Sequence, residues 1–319
     1  MRNPLHRRLP RLALVPLLLT PLLAASLLPG AVGAQAAGAR AAPAGAPVGA
    51  AELAWYPVRP AQGTLFVVRA GPTAGGDLTE VTGVAAGETL RFHRLADGSF
   101  ESLAPVPVDA EEALEVRVEL VHEDGTRRSE RLEIPVAPGS FRHEELTVAP
   151  EYGSPMSEER RARLARDREK ARSVSRQAGE TARLWSPEVI LPREDRVTSG
   201  FGNGRVFNGQ VSSRHMGLDL DGEPGDTIVA PTRGVVALVD DFLLAGRIVY
   251  LNHGGNLVSG YFHLSEPLVA EGDTVEAGTP IGRVGATGRV TGPHLHWVVR
   301  YGTTSVDPRS LLEVAAGRD

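Results

Sequence analysis

The chain has 319 residues, no cysteine, 34 basic against 39 acidic side chains and a net charge of −5. Without thiols there are no disulfide staples and no thiolate metal sites, and a mildly acidic chain is a poor partner for nucleic acid.

Residues 1–34 predict a targeting segment. Arg2, Arg7, Arg8 and Arg11 charge its start, residues 12–28 are apolar and interrupted by Pro16 and Pro21, and Val32-Gly33-Ala34 offers a small-residue cleavage site. The alternative is a retained anchor, since the apolar run nearly reaches spanning length. The prolines and small residues favour cleavage, which leaves no stable membrane span. Losing four arginines and no acidic residue would move the net charge from −5 to −9. Residues 35–51 are rich in Ala, Gly and Pro, have nothing to build a core, and predict a disordered linker.

From residue 52 to 150 the pattern changes to short strands between turns. Residues 64–68, 89–92 and 114–120 are strand candidates, and the last alternates over seven positions. Asp124-Gly125 between two such runs predicts a β-hairpin. A stretch of this length and texture suits an immunoglobulin-like β-sandwich, self-contained and a place for a regulatory protein to dock. His93, His122 and His143 fall here without partners at ligand spacing and read as surface or packing residues.

Residues 151–184 predict a connector helix. Ser157 suits an N-cap, Glu158 and Glu159 suit the first turn, and the basic run that follows has strong helix formers. Its apolar positions are few, so it reads as a solvated connector able to lean on either domain. Residues 185–319 are dense in Gly and Pro and carry short strand candidates at 227–230, 234–239, 247–251, 257–262 and 296–301, which predicts an all-β domain. Its two Gly-Asp-Thr turns, at 225–227 and 272–274, also occur in lipoyl and biotinyl carriers, but a carrier needs a modifiable lysine and the last one here is Lys170.

Chemistry concentrates in this last part, where five of the nine histidines lie between His215 and His296. In H-L-H-W-V-V, strand alternation points His294 and His296 the same way. In H-M-G-L-D, an extended backbone puts His215 and Asp219 on one face. Two imidazoles and a carboxylate on neighbouring strands suit a zinc site with one open position. Each motif alone is weak; together, with His263 between them, they favour a metal.

These residues resemble the lysostaphin-type (LytM-like) zinc metalloendopeptidases, which cut the peptides of peptidoglycan. The pattern H-x-G-x-D is met by His215, Gly217 and Asp219, the central Y-x-H-L by Tyr261, His263 and Leu264, and the closing G-P-H-L-H by residues 292–296. The resemblance covers about residues 190–312. It implies a duplicated hybrid motif fold and one zinc per chain held by His215, Asp219 and His296. It further implies His263 and His294 as catalytic histidines beside a metal-activated water; which is the general base stays open. His253 reads as structural, and Arg205 and Asn208 as candidates to line a groove.

The expected function is an exported zinc endopeptidase of peptidoglycan stem peptides or cross-links, in the periplasm or outside the cell and wall-associated. A non-catalytic wall-binding or amidase-activating module on the same fold is the second reading, and a zinc peptidase of secreted proteins the third.

Overall fold

The computed structural model describes residues 53–72, 76–150, 156–209 and 211–317. The expected targeting segment and linker lie outside these residues. The chain is mainly β, as its patterning predicts. No helix among the described residues is long and apolar enough to cross a membrane.

Upstream, two four-stranded sheets form. One runs Leu53–Tyr56, Leu65–Ala70, Phe100–Pro105, His93–Arg94; the other runs Glu88–Leu90, Leu78–Ala85, Ala113–His122, Arg127–Pro135. The seven-residue alternation extends over Ala113–His122, whose Val116, Val118 and Leu120 are buried. Its hairpin to Arg127–Pro135 turns at Gly125 with φ +83°. A residue with a Cβ is disfavoured there. The inner faces of both sheets contribute to one apolar cluster that continues into the downstream core.

The main downstream sheet has the strand order Val197–Ser199, Leu218–Leu220, Leu295–Tyr301, Leu257–Leu264, Gly246–Gly254, Gly234–Phe242, Thr274–Val275, with Thr304–Val306 paired on Leu295–Tyr301. A small second sheet joins Thr227–Val229, Pro280–Arg283 and Glu266–Pro267. The two Gly-Asp-Thr turns do the same local job. Gly225 (φ +95°) and Gly272 (φ +91°) each take the left-handed turn just ahead of a strand.

A third sheet places Gly204–Phe207 between Val211–Arg214 and His143–Leu146, the last pairing in parallel. Residues 143–146, which the sequence groups with the sandwich, thus add a strand beside residues 204–207.

The helix Glu158–Glu180 is capped by Ser157, whose hydroxyl accepts from Arg160 N–H at 3.3 Å. It leans on the downstream domain, lying on the main sheet. Ala171, Val174 and Ala178, spaced at three and four, bury one narrow stripe in a cluster with Ile248, Tyr250, Val258 and Phe262. Burying a valine stabilises by about 1.5–3 kcal/mol, so three small residues suffice to dock an otherwise charged helix. Buried Asp167 adds a polar tie, accepting from Leu243 N–H at 2.7 Å.

Candidate active site

Antiparallel pairing assembles the site. Asp219 on Leu218–Leu220 stands directly opposite His296 on Leu295–Tyr301, and His296 stands opposite Phe262 on Leu257–Leu264. His215 precedes the first of these strands, and its backbone is held by bonds from Gly202 N–H to its carbonyl and from its own N–H to Asn203 O, both 2.7 Å. Between them Gly217 permits the close approach. A Cβ there would sit 2.6 Å from His296 Cε1 and 2.7 Å from the Trp297 carbonyl oxygen, so no larger residue fits.

The three side chains converge. His215 Nε2 lies 3.0 Å from Asp219 Oδ1 and 2.9 Å from His296 Nδ1, and His296 Nδ1 lies 2.6 Å from Asp219 Oδ1. His215 and Asp219 are buried. The opposite nitrogen of His215, Nδ1, is 2.7 Å from the Gly200 carbonyl. A carbonyl only accepts, so Nδ1 carries the hydrogen, and in the neutral ring Nε2 presents a lone pair to a carboxylate oxygen. Two acceptors that close call for a positive charge between them, a proton or a metal ion. The donor set therefore fits a metal ion, with nitrogen and oxygen ligands of the kind zinc takes.

His263 and His294 flank the cluster, their ring centroids 4.9 Å apart. Each donates from Nδ1 to a backbone carbonyl, His263 to Thr287 and His294 to Gly292, both at 2.8 Å. That leaves each Nε2 as the free basic atom; the Nε2 of His294 lies 3.7 Å from Asp219 Oδ1. His263 has φ +64°, a left-handed backbone rare outside glycine, at the end of its strand. Such strain, of order 1–3 kcal/mol, persists only where surrounding structure holds it and tends to mark functional positions.

Burial disfavours the charged imidazole of His263, with the neighbouring His296 and His294 adding to the effect, and holds it well below the usual histidine range. Burial likewise lowers His296, to about 4, against the pull of Asp219. For Asp219 burial opposes ionisation, but the two imidazoles of His215 and His296 beside it outweigh burial and keep the carboxyl well below its usual range. Arg205 adds a bond from Nη2 to Asp219 Oδ2 at 2.5 Å.

The cluster opens into a cleft of about 670 Å³, lined by Leu146, Val148, Leu244, Arg289 and Pro293 among others. Of the two groove candidates in the sequence, Arg205 lines this cleft and contacts Asp219, whereas Asn208 binds the Val148 backbone. His253 is buried away from it. Its Nδ1 donates to Arg233 O at 2.8 Å, and its Nε2 lies 2.7 Å from Ser259 Oγ. Glu144, which no motif singled out, also reaches the cleft wall.

Residues 213–308 match the model of Peptidase family M23. The chain carries an M23 peptidase domain. A segment of 118 residues is 36% identical to the peptidoglycan DD-endopeptidase ShyC of Vibrio cholerae, covering 36% of this chain and 27% of that protein. A 143-residue segment is 31% identical to the murein hydrolase activator NlpD of Salmonella typhimurium, covering 44% of this chain and 34% of that one. The chain thus spans about a third or less of the length of these curated relatives. A solved candidate M23 peptidase from Pseudomonas aeruginosa shares the fold, with a TM-score of 0.61 at 24% identity over 80% of this chain and 96% of that one. The M23 domain accordingly supplies His215, Asp219, His263, His294 and His296, while Arg205 and Glu144 lie upstream of the matched residues.

Proposed function

We propose that the chain is a zinc-dependent metalloendopeptidase that hydrolyses peptide bonds in peptidoglycan stem peptides or cross-links, acting after export on the cell wall. The observation that carries this reading is the convergence of His215, Asp219 and His296 beneath two histidines whose Nε2 atoms are free. His215 Nε2, Asp219 Oδ1 and His296 Nδ1 would hold one zinc ion. When bound, zinc supplies Lewis acidity, which acidifies water and polarises a peptide carbonyl.

The remaining roles belong to the protein. Burial keeps His263 neutral, and both His263 and His294 have their Nδ1 hydrogens fixed on carbonyls, so each Nε2 can take a proton from water or hand one to the departing amine. Once protonated, either ring also stabilises negative charge developing on the carbonyl oxygen. The open cleft accommodates an extended peptide.

The likeness to NlpD supports a second reading, an activator of other wall hydrolases that does no chemistry itself. Five intact polar side chains at the cluster favour hydrolysis over that reading. The deciding experiment measures zinc content of the purified protein and new amino termini released from isolated sacculi. Zinc-free protein that releases none, yet stimulates an amidase, would establish the activator instead.

A further inference from the structure

Glu144 lies outside residues 213–308 and outside every motif that supplies the cluster. Its strand, His143–Leu146, puts it directly opposite Arg205 in the parallel pairing. Two asparagines fasten the backbone on either side. Asn203 Oδ1 accepts from Arg142 N–H at 2.9 Å, and the Asn208 amide exchanges both its bonds with the Val148 backbone at 3.0 Å each. From this fixed position the Glu144 carboxylate accepts from Asn203 Nδ2 at 2.7 Å and Arg205 Nε at 2.9 Å. It also accepts from Ser199 Oγ, 2.7 and 2.9 Å from its two oxygens. One bond further on lies the cluster. Arg205 Nη2 reaches Asp219 Oδ2, and Ser199 Oγ lies 3.1 Å from His215 Nδ1.

We infer that Glu144 is a positioning residue of the metal centre, acting mainly through Arg205, an inference that rests on the zinc reading above. A guanidinium offers a fork of donors and tends to grip a carboxylate with two parallel bonds. If Asp219 were its sole carboxylate, Arg205 would compete with zinc for Oδ1. By occupying Nε, Glu144 leaves Arg205 a single bond to Oδ2, so Oδ1 faces the two histidines. The second carboxylate also balances a guanidinium that would otherwise draw charge away from the ligand. Partners of metal ligands placed in this way typically change metal affinity about 10–100-fold when lost.

The test uses the full chain, with zinc affinity read by competition against a chromophoric chelator, the visible spectrum of the cobalt(II) form, and the melting temperature of metal-free protein. Glu144→Gln keeps the shape and removes the charge. It should bind zinc at least about tenfold more weakly and shift the cobalt bands, while metal-free protein melts as the unaltered chain does. In an Arg205→Ala background the same change should have a much smaller effect on zinc affinity. Unaltered zinc affinity in Glu144→Gln, or an equal loss with and without Arg205, overturns the inference while His215→Ala still loses zinc. Stoichiometric zinc in His215→Ala would overturn the metal reading itself, and this inference with it.

Discussion

His263 and His294 face each other at 4.9 Å between ring centroids, each fixed by an Nδ1 hydrogen bond to a carbonyl and neither among the three converging donors. Under the proposed function, that arrangement would separate proton transfer from metal binding. His263→Ala and His294→Ala should each retain near-stoichiometric zinc and lose about 10²–10⁴-fold in kcat, the usual worth of general acid–base help. The double variant should be little worse than the worse single one, because both act on the same charge. Elemental analysis beside single-substrate kinetics checks this. Loss of zinc from His294→Ala, with His296 intact, would reverse the roles within the H-L-H pair.

Replacing a converging donor should do the opposite. His215→Ala, Asp219→Ala and His296→Ala are each expected to lose zinc and activity together, since three protein ligands leave none to spare. Dialysis against a metal buffer followed by elemental analysis is the measurement. A variant that holds one zinc per chain removes its residue from the ligand set.

Gly217→Ala tests the close approach behind the cluster. The added Cβ would press on the His296 ring and on the Trp297 carbonyl, and backbone cannot yield as a flexible side chain can. A stability loss of about 1–3 kcal/mol is expected from overpacking, together with weaker zinc binding because His296 is displaced. Urea unfolding of the metal-free protein measures the first effect, and chelator competition the second. Unchanged values for both would mean that the backbone relaxes freely there.

Acid should destabilise the fold through a histidine outside the cluster. Burial lowers His253 to about 4, only partly offset by its bond to the Arg233 carbonyl. The folded state thus favours the neutral ring, and between about pH 6.5 and 4 the unfolded chain binds the extra proton. Stability should fall as pH drops through that window, by at most about 3 kcal/mol from this residue. His253→Gln should flatten the part of the slope that belongs to this site, measured by urea unfolding of zinc-free protein at several pH values. An identical slope in the variant would assign the acid sensitivity elsewhere.

The cluster was legible in the sequence because its members sit in short local patterns. His215 and Asp219 are four residues apart, and His294 and His296 share a strand face by alternation. Even their pairing across strands needs only that two such segments be neighbours. Glu144 carries no such mark. It is one carboxylate in R-H-E-E-L, and its meaning comes from a parallel partner about 60 residues on. The helix was hard to read for a related reason. Three small side chains among a run of charges look solvated until a flat sheet face is available to receive them. Of the upstream strands, Ala113–His122 was recognisable by alternation, whereas His143–Leu146, with His143 and Glu145 exposed and Glu144 and Leu146 half-buried, shows no apolar period.

That short strand sets a rule for rebuilding the protein. A chimera that transplants only the residues matched by the family model would carry His215, Asp219 and the three histidines beyond them at the cluster yet leave Arg205 and Glu144 behind. A graft beginning near residue 190 would restore Arg205 but strand it without its second carboxylate. The natural cut lies before Arg142, so that donor sandwich and recipient hydrolase meet upstream of the asparagine-fastened segment rather than through it.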